Sequence, residues 1–300
     1  SVCLLSALNM LKSDLDITLS AAYIDHGLRP NETPDEIEFC RDITASFHAH
    51  LHIQSINIKE HISKTGLSKQ EAARELRYNA LKTIAYEAGA DKIALAHNAD
   101  DQAETVIIRL ARGAGATGLS GIPPVRGNII RPLIETDRKV IETFLEKQGI
   151  GYMTDSSNLR YDYLRNKIRH HIFPELKKIN SDIVNTLSRT ADIFRDEEKY
   201  FEGLVTKTMM KLIRRKSEKS VELFLSPLEF LETIILRRVL RRSVDATAGL
   251  RGIGFIHIEE VISLIKSGKA GDRIYLPNGI RAIKEYATLK ITADKPASLS

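Results

Sequence analysis

Cysteine is nearly absent from this sequence: 300 residues hold two, Cys3 and Cys40, and no CxxC pair occurs. A disulfide framework, a zinc ribbon or an iron–sulfur cluster held by the chain's own cysteines is therefore not expected, and a reducing cytoplasm is the expected setting. No uninterrupted apolar run approaches the length of a membrane span, so no membrane partner is expected. No secretory leader is expected, and the sequence shows no internal repeat and no low-complexity tract. What remains is 43% hydrophobic and 28% charged, the balance of a folded globular chain with room for one to three domains. The formal charge of +5 and pI near 9.0 permit an anionic partner such as nucleic acid without demanding one.

The chain is organised around Leu95 to Gly118, LAHNADDQAETVIIRLARGAGATG. The apolar run Lys92 to Ala96 arrives there without polar alternation, as in a strand buried on both faces. His97 and Asn98 follow, and Asp100 and Asp101 open a helix whose first turn also carries Glu104 on the face of Asp101. Acidic groups suit a positive helix N-terminus. Three carboxylates beside a histidine at a strand's carboxyl end exceed what a cap requires, and that edge is where open α/β sheets bind ligands. Carboxylates there can hold Mg²⁺ against nucleotide phosphates.

Taken in order, Thr18 to Asp25 reads as a buried strand ending at His26. Thr33-Pro-Asp-Glu36 reads as a capping box for a helix toward Ala49. Leu51 to Ile58 alternates like a strand, and Ser68-x-x-Glu71 caps a helix that Gly89 should end. Asn128 to Leu133 predicts a short strand, and Asp137 to Gly149 bounds a helix. Strands alternating with helices predict an α/β, doubly wound parallel sheet over residues 1–150. Residues 151–245 read as a helical, basic region, with Ser226-Pro-Leu-Glu229 capping a helix that carries Arg237, Arg238, Arg241 and Arg242. Residues 246–300 read as a small α+β unit with a hairpin at Asn278–Gly279 and a frayed tail from Ala293. The basic segments Lys211–Lys219 and Arg237–Arg242 are, singly, solvated faces; in a protein that binds nucleic acid they become phosphate contacts.

Five blocks occur in one chain: IDHGLRPN (Ile24–Asn31), EAARELRY (Glu71–Tyr78), LAHNADDQAET, GLSGIPP (Gly118–Pro124) and DSSNLRYDYLRNKIRH (Asp155–His170). Together they resemble the bacterial tRNA(Ile)-lysidine synthetases, a family of N-type ATP pyrophosphatases with a phosphate-binding PP-loop. GDRIYLPNGIRAIKE near the carboxyl end resembles that family's accessory domain. The family's glycine-rich SGGxDS signature matches only at its last serine, Ser1, so its glycines and aspartate would fall before residue 1. The expectation is a fragment of a longer chain; the alternative is a protein that cannot adenylate.

The resemblance implies a two-step ligation with ATP and Mg²⁺ as cofactors and tRNA(Ile) with a CAU anticodon and free L-lysine as partners. The wobble cytidine is adenylated at C2, and the lysine ε-amine displaces AMP to give lysidine, changing codon specificity from AUG to AUA. Asp101 and Glu104 would meet lysine or Mg²⁺, with Asp101 as the metal ligand, and His97 would sit in the substrate pocket. Arg77 and Arg169 complete the implied catalytic set, and Ser1, Ile24, His26 and Arg74 the nucleotide-binding set. A homodimer is compatible with this reading. Two rivals stay open: a 2-thiocytidine synthetase type of PP-loop enzyme, for which the cysteine pairs are wanting, and a non-catalytic tRNA-binding descendant.

Overall fold

Two parallel strand pairs, not hydrogen-bonded to each other, form the sheet framework of the first half of the chain. The computed structural model describes residues 1–27, 29–153 and 164–293, and it divides into units Ser1–Arg195 and Asp196–Ser300. Residues 154–163, which include Asp155 to Tyr163 of the DSSNLRYDYLRNKIRH block, Leu28 in the IDHGLRPN turn and the tail at 294–300 lie outside the described residues.

In the first unit, α1 (Val2–Met10) precedes β1 (Ser20–Asp25), and α2 (Thr33–Ser46) returns the chain to β2 (His50–Ser55), which pairs with β1 in parallel. Then come α3 (Ile58–Thr65), α4 (Lys69–Glu87), β3 (Ile93–Ala94), α5 (Ala99–Ala111) and α6 (Ala116–Leu119). The hairpin of β4 (Val125–Arg126) and β5 (Ile129–Ile130) sets β5 parallel to β3, and α7 (Arg138–Lys147) follows. The α/β class and the parallel pairing agree with the sequence reading, but the pairing is discontinuous. A groove of about 540 Å³ lies between β1 and β3, lined by both strands and by α1, α2 and α4. The Lys92–Ala96 run borders that groove. For this reason Ile93 is buried while Ala94, Leu95 and Ala96 are only half-buried, not covered on both faces as expected.

Local signals hold where nothing competes for the side chains. Ser68 and Glu71 form the reciprocal cap of α4, and Gly89 follows that helix at φ +63°. The Thr33–Glu36 cap does not form. Glu36 is taken by Tyr23 and by Arg29 at 2.9 Å, and the Thr33 hydroxyl donates to the Arg29 carbonyl at 2.9 Å. After the undescribed segment come α8 (Leu164–Lys167), a π-helical turn (Ile168–Ile172), α9 (Phe173–Ile179) and the 30-residue α10 (Ile183–Leu212).

In the second unit, β6 (Ile213–Lys216), β7 (Ser220–Phe224), β8 (Arg273–Tyr275), β9 (Arg281–Lys284) and β10 (Thr288–Thr292) form one antiparallel sheet in the order β6-β7-β10-β9-β8. Val221, Leu223, Ala282, Leu289 and Ile291 point from it into a core shared with α11 (Leu225–Glu229), α12 (Thr233–Ala248) and α13 (Phe255–Ser267). The helical reading of 151–245 therefore missed a hairpin. SVELF alternates with the strand period, but it lies between helices and was masked by them. That hairpin draws 213–224 into the same sheet and core as 273–292, so the division falls at 195/196 and not at 245. Ser226–Glu229 starts no long helix: α11 stops after Glu229, and α12 begins anew at Thr233. Asn278–Gly279 turns β8 into β9 with φ +61° and +72°, the left-handed pair that a tight hairpin needs.

Candidate active site

The N-terminus of α5 arranges the central carboxylates by distinct local chemistry. Asn98 caps the helix by accepting from the Asp101 amide at 2.9 Å, and Asp101 Oδ2 accepts in return from the Asn98 amide at 3.1 Å. Asp100 accepts from the Arg138 amide at 2.9 Å and so holds the start of α7. Glu104, one turn on, is 1% exposed and bridges two arginines. Arg165 Nε donates to its Oε2 at 2.7 Å, and Arg169 Nε to its Oε1 at 2.6 Å. Arg165 and Arg169 stand one turn apart, and the π-helical turn at Ile168–Ile172 carries the second of them. Such widened turns recur at functional sites.

Asp101 Oδ1 makes no hydrogen bond within this cluster and is ion-paired at longer range, 3.8 Å from Arg165 Nη2 and 3.9 Å from Arg169 Nη2. Burial works against the charge of Arg169, but its hydrogen bond to Glu104 and the fields of Glu104 and Asp101 prevail and raise its pKa. His97 behaves oppositely. Burial lowers its pKa from 6.5 to about 4; Asp101 resists, and Arg131, Arg165 and Arg77 add to the fall. The imidazole is thus neutral at physiological pH, and its buried Nδ1 has no hydrogen-bond partner among the described residues.

Arg77 is a half-buried cation with no carboxylate partner among the described residues, and burial, Arg74 and Arg165 push its pKa down while Tyr78 raises it. Arg74 and Arg77 lie 5.1 and 5.9 Å from the centre of the Tyr78 ring. Arg131, 4% exposed, donates to the Pro123 carbonyl at 2.7 Å and approaches the Tyr78 hydroxyl at 3.5 Å. Together these side chains make a cationic wall at the carboxyl ends of β3 and β5.

The GLSGIPP segment is held by the same chemistry. Arg109 donates to the carbonyls of Gly118 and Gly121, Arg195 to those of Ser120 and Ile122, and Gln102 exchanges two hydrogen bonds with Ile122. Gly121, at φ +66°, leaves no room for a Cβ, which would meet Gln102 Oε1 at 2.5 Å.

Of the residues proposed from sequence, Ser1, Ile24, His26, Arg77 and His97 line the groove between β1 and β3. Asp101, Glu104 and Arg169 form the adjoining cluster on α5, and Arg74 stands beside Tyr78. Sequence reasoning passed over Arg165 and Arg131. Arg165 was visible as the i−4 neighbour of Arg169; Arg131 carries no local signal, since only strand pairing brings it beside His97. Among the described residues no group of three His, Cys, Asp or Glu side chains could hold a metal alone. Mg²⁺ bound mainly through phosphates needs only one or two carboxylates. Asp101 is one such carboxylate, so the residues present are compatible with a metal that arrives with the nucleotide.

A parallel α/β unit with a cationic, carboxylate-bearing site at its strand ends defines a nucleotide-handling domain of the open-sheet class. Residues 1–176 match the family model described as PP-loop domain, and the chain belongs to that family. It is 34% identical to the tRNA(Ile)-lysidine synthase of Caldanaerobacter subterraneus subsp. tengcongensis, over 98% of this chain and 63% of that protein. It is 30% identical to the tRNA(Ile)-lysidine synthase of Bacillus subtilis, over 98% of this chain and 64% of that protein. The chain thus spans a little under two thirds of the length of these relatives. Its fold is also similar to that of a U34-tRNA thiolase from Methanococcus maripaludis, with TM-score 0.53 and 16% identity over 65% of this chain and 70% of that one.

Proposed function

We propose that this chain carries the catalytic unit of an ATP-dependent carbon–nitrogen ligase that joins free L-lysine to C2 of the wobble cytidine in tRNA(Ile) with a CAU anticodon. The observation that carries the reading is the Glu104–Arg165–Arg169 cluster, set beside a neutral His97, an Arg77 with no carboxylate partner among the described residues, and Asp101 Oδ1, which makes only long ion pairs to the two arginines. Similarity to tRNA(Ile)-lysidine synthases along nearly the whole chain supports the choice of substrate.

A pyrimidine carbonyl oxygen leaves poorly, so it must first become a phosphate ester. In the first step the C2 oxygen attacks the α-phosphorus of ATP and pyrophosphate departs. Arg77 and Arg169 face the charge that develops on the phosphate, and guanidinium groups already fixed in place need no reorganisation as it forms. Mg²⁺, when bound with the nucleotide, supplies further charge neutralisation. In the second step the lysine ε-ammonium releases a proton to water, the free amine bonds to C2, and AMP leaves with the former carbonyl oxygen. Asp101 Oδ1 is the carboxylate placed to meet a cation, and charge-assisted hydrogen bonding suits an ammonium group. Glu104 has both oxygens engaged by arginines, so its part is to aim Arg165 and Arg169. His97, with its pKa near 4, serves as a hydrogen-bonding wall of the pocket and is uncharged near neutrality.

The test is incorporation of radiolabelled lysine into a tRNA(Ile) transcript with a CAU anticodon, by the protein with its SGGxDS segment in place. ATP-dependent incorporation that is lost when the wobble cytidine is replaced by uridine is the expected result. Sulfur transfer to the tRNA without lysine incorporation would favour the thiolase type of chemistry instead.

A further inference from the structure

Arginines around the α5 site have two kinds of partner, and the difference decides the net charge they leave. Arg165 and Arg169 face the carboxylate of Glu104, and Arg195 has Asp192 at 2.6 Å. Arg109 and Arg131 face backbone carbonyls instead. Arg109 donates to those of Gly118 and Gly121 at 2.7 and 2.8 Å, and Arg131 to that of Pro123 at 2.7 Å. Neither has a carboxylate partner among the described residues. A carboxylate cancels a guanidinium's charge; a carbonyl satisfies its hydrogen bonds and leaves the charge standing. Keeping such a charge out of water costs free energy.

The GLSGIPP segment is shaped to supply those carbonyls. A Cβ at Gly118 would meet that of Ala114 at 2.5 Å, and one at Gly121 would meet Gln102, so neither position admits a side chain. Pro123 and Pro124 have no N–H to offer, which leaves two acceptors facing Arg131. The Arg131 side chain takes the first carbonyl, and its backbone amide takes the second at 2.9 Å. Gln102 and Arg195 fix Ile122 between the two arginine contacts. The segment is thus a fixed row of dipoles with its negative ends on Arg109 and Arg131.

The charges held this way lie beside the groove residues. Burial first, and Arg74 second, lower the pKa of Arg109. Burial leads at His97 too, and Arg131 is the strongest of the cations that add to its fall. With Arg74 and Arg77, four guanidinium groups stand together without a carboxylate partner among the described residues. A polyanion relieves the repulsion within such a group.

We propose that Arg109 and Arg131 are positioning residues that draw the nucleotide phosphates through their charge, with the GLSGIPP carbonyls serving as partners that do not cancel it. The inference rests on the proposed use of ATP. At an effective dielectric constant of about 20, one unit charge acting on another across about 12 Å changes an equilibrium about tenfold.

The test is calorimetric titration with ATP, and with adenosine as its competitor, on the protein with its SGGxDS segment in place. Arg109→Gln keeps a hydrogen-bond donor and loses the charge; Arg109→Lys keeps the charge and loses the planar fork. Arg109→Gln should weaken ATP binding about tenfold and leave adenosine binding unchanged. It should also flatten the loss of ATP affinity between about 50 and 300 mM salt. Arg109→Lys should stay within about threefold of the parent for ATP. Arg131→Gln and Arg131→Lys should repeat the pattern. Because Arg131 is 4% exposed, thermal midpoints must first show those two variants folded; if they are not, the Arg109 pair decides. Parental ATP affinity in Arg109→Gln would overturn the proposal. So would equal losses in the glutamine and lysine variants, or a loss of adenosine binding that matches the loss of ATP, since either marks a purely structural clamp. A parent that binds ATP and incorporates no lysine would count against the proposed reaction and not against this inference.

Discussion

Glu104 and Arg169 are joined by a 2.6 Å hydrogen bond from Nε to Oε1, at a point where Glu104 is 1% exposed. Arg165 completes the bridge from the other side at 2.7 Å. Glu104→Ala leaves two guanidinium groups without their carboxylate, but Arg165 and Arg169 are 40% and 25% exposed and rehydrate in part, so the first unit should lose about 1.5–3 kcal/mol. Urea unfolding followed by circular dichroism measures this, and a loss under about 1 kcal/mol would show that the bridge does not hold α5 to the α8 region.

Asp101→Asn should behave differently. The amide oxygen can still accept from the Asn98 backbone, so the cap persists and stability should fall by no more than about 1 kcal/mol. Lysidine formation should be abolished, because the oxygen that meets a cation loses its charge. A stable Asp101→Asn protein with near-parental turnover would sink the assignment.

His97 gives a pH signature. Its folded-state pKa, about 4, lies below its ordinary 6.5, so the unfolded chain binds the extra proton first as pH falls. The stability contributed by a neutral His97 is complete above about pH 6.5 and is lost progressively as pH falls toward 4. His97→Gln should shallow the decline in unfolding free energy over that window. Identical pH–stability curves for parent and variant would contradict the assigned shift.

Three of the four α12 arginines, Arg237, Arg238 and Arg242, are paired with Glu259, Glu198 and Glu202 and are expected to act on stability and not on RNA. Arg238→Ala removes two hydrogen bonds to Glu198 and a contact 4.4 Å from the centre of the Phe201 ring, a loss of about 1.5–3 kcal/mol. The salt slope of tRNA binding should stay unchanged. This reverses what the cluster suggests when read as a string of charges. A flattened slope at parental stability would restore the phosphate-contact reading.

The difference shows what was legible. Signals confined to one turn of chain were readable: the Ser68–Glu71 cap, the Asn278–Gly279 hairpin, and Asp101 with Glu104 on one helix face. Signals whose meaning depends on a distant partner were not. The spacing of Arg237, Arg238 and Arg242 cannot reveal that Glu259, Glu198 and Glu202 neutralise them from other helices. Glu36 fits a capping box until Tyr23 and Arg29, which tertiary packing brings up, take its carboxylate. Arg131 lacks any motif, and only the pairing of β5 with β3 brings it to His97. At the site, residue types were therefore recoverable from the five blocks, while the division of labour between Asp101 and Glu104 required geometry. Asp101 Oδ1 makes no hydrogen bond and lies 3.8 and 3.9 Å from the two guanidinium groups, whereas both oxygens of Glu104 are hydrogen-bonded to them.

That division is the central claim, and paired kinetics test it most directly. Asp101→Asn and Glu104→Gln would be compared in ATP–pyrophosphate exchange with tRNA and in lysine incorporation, with the phosphate loop in place. Since Glu104 acts by aiming Arg165 and Arg169 at developing phosphate charge, Glu104→Gln should depress exchange and incorporation together, without raising the KM for lysine. Asp101→Asn should leave lysine incorporation undetectable. If Glu104→Gln instead keeps parental exchange while the KM for lysine rises tenfold or more, Glu104 meets lysine itself, and the assignment of the two carboxylates is wrong.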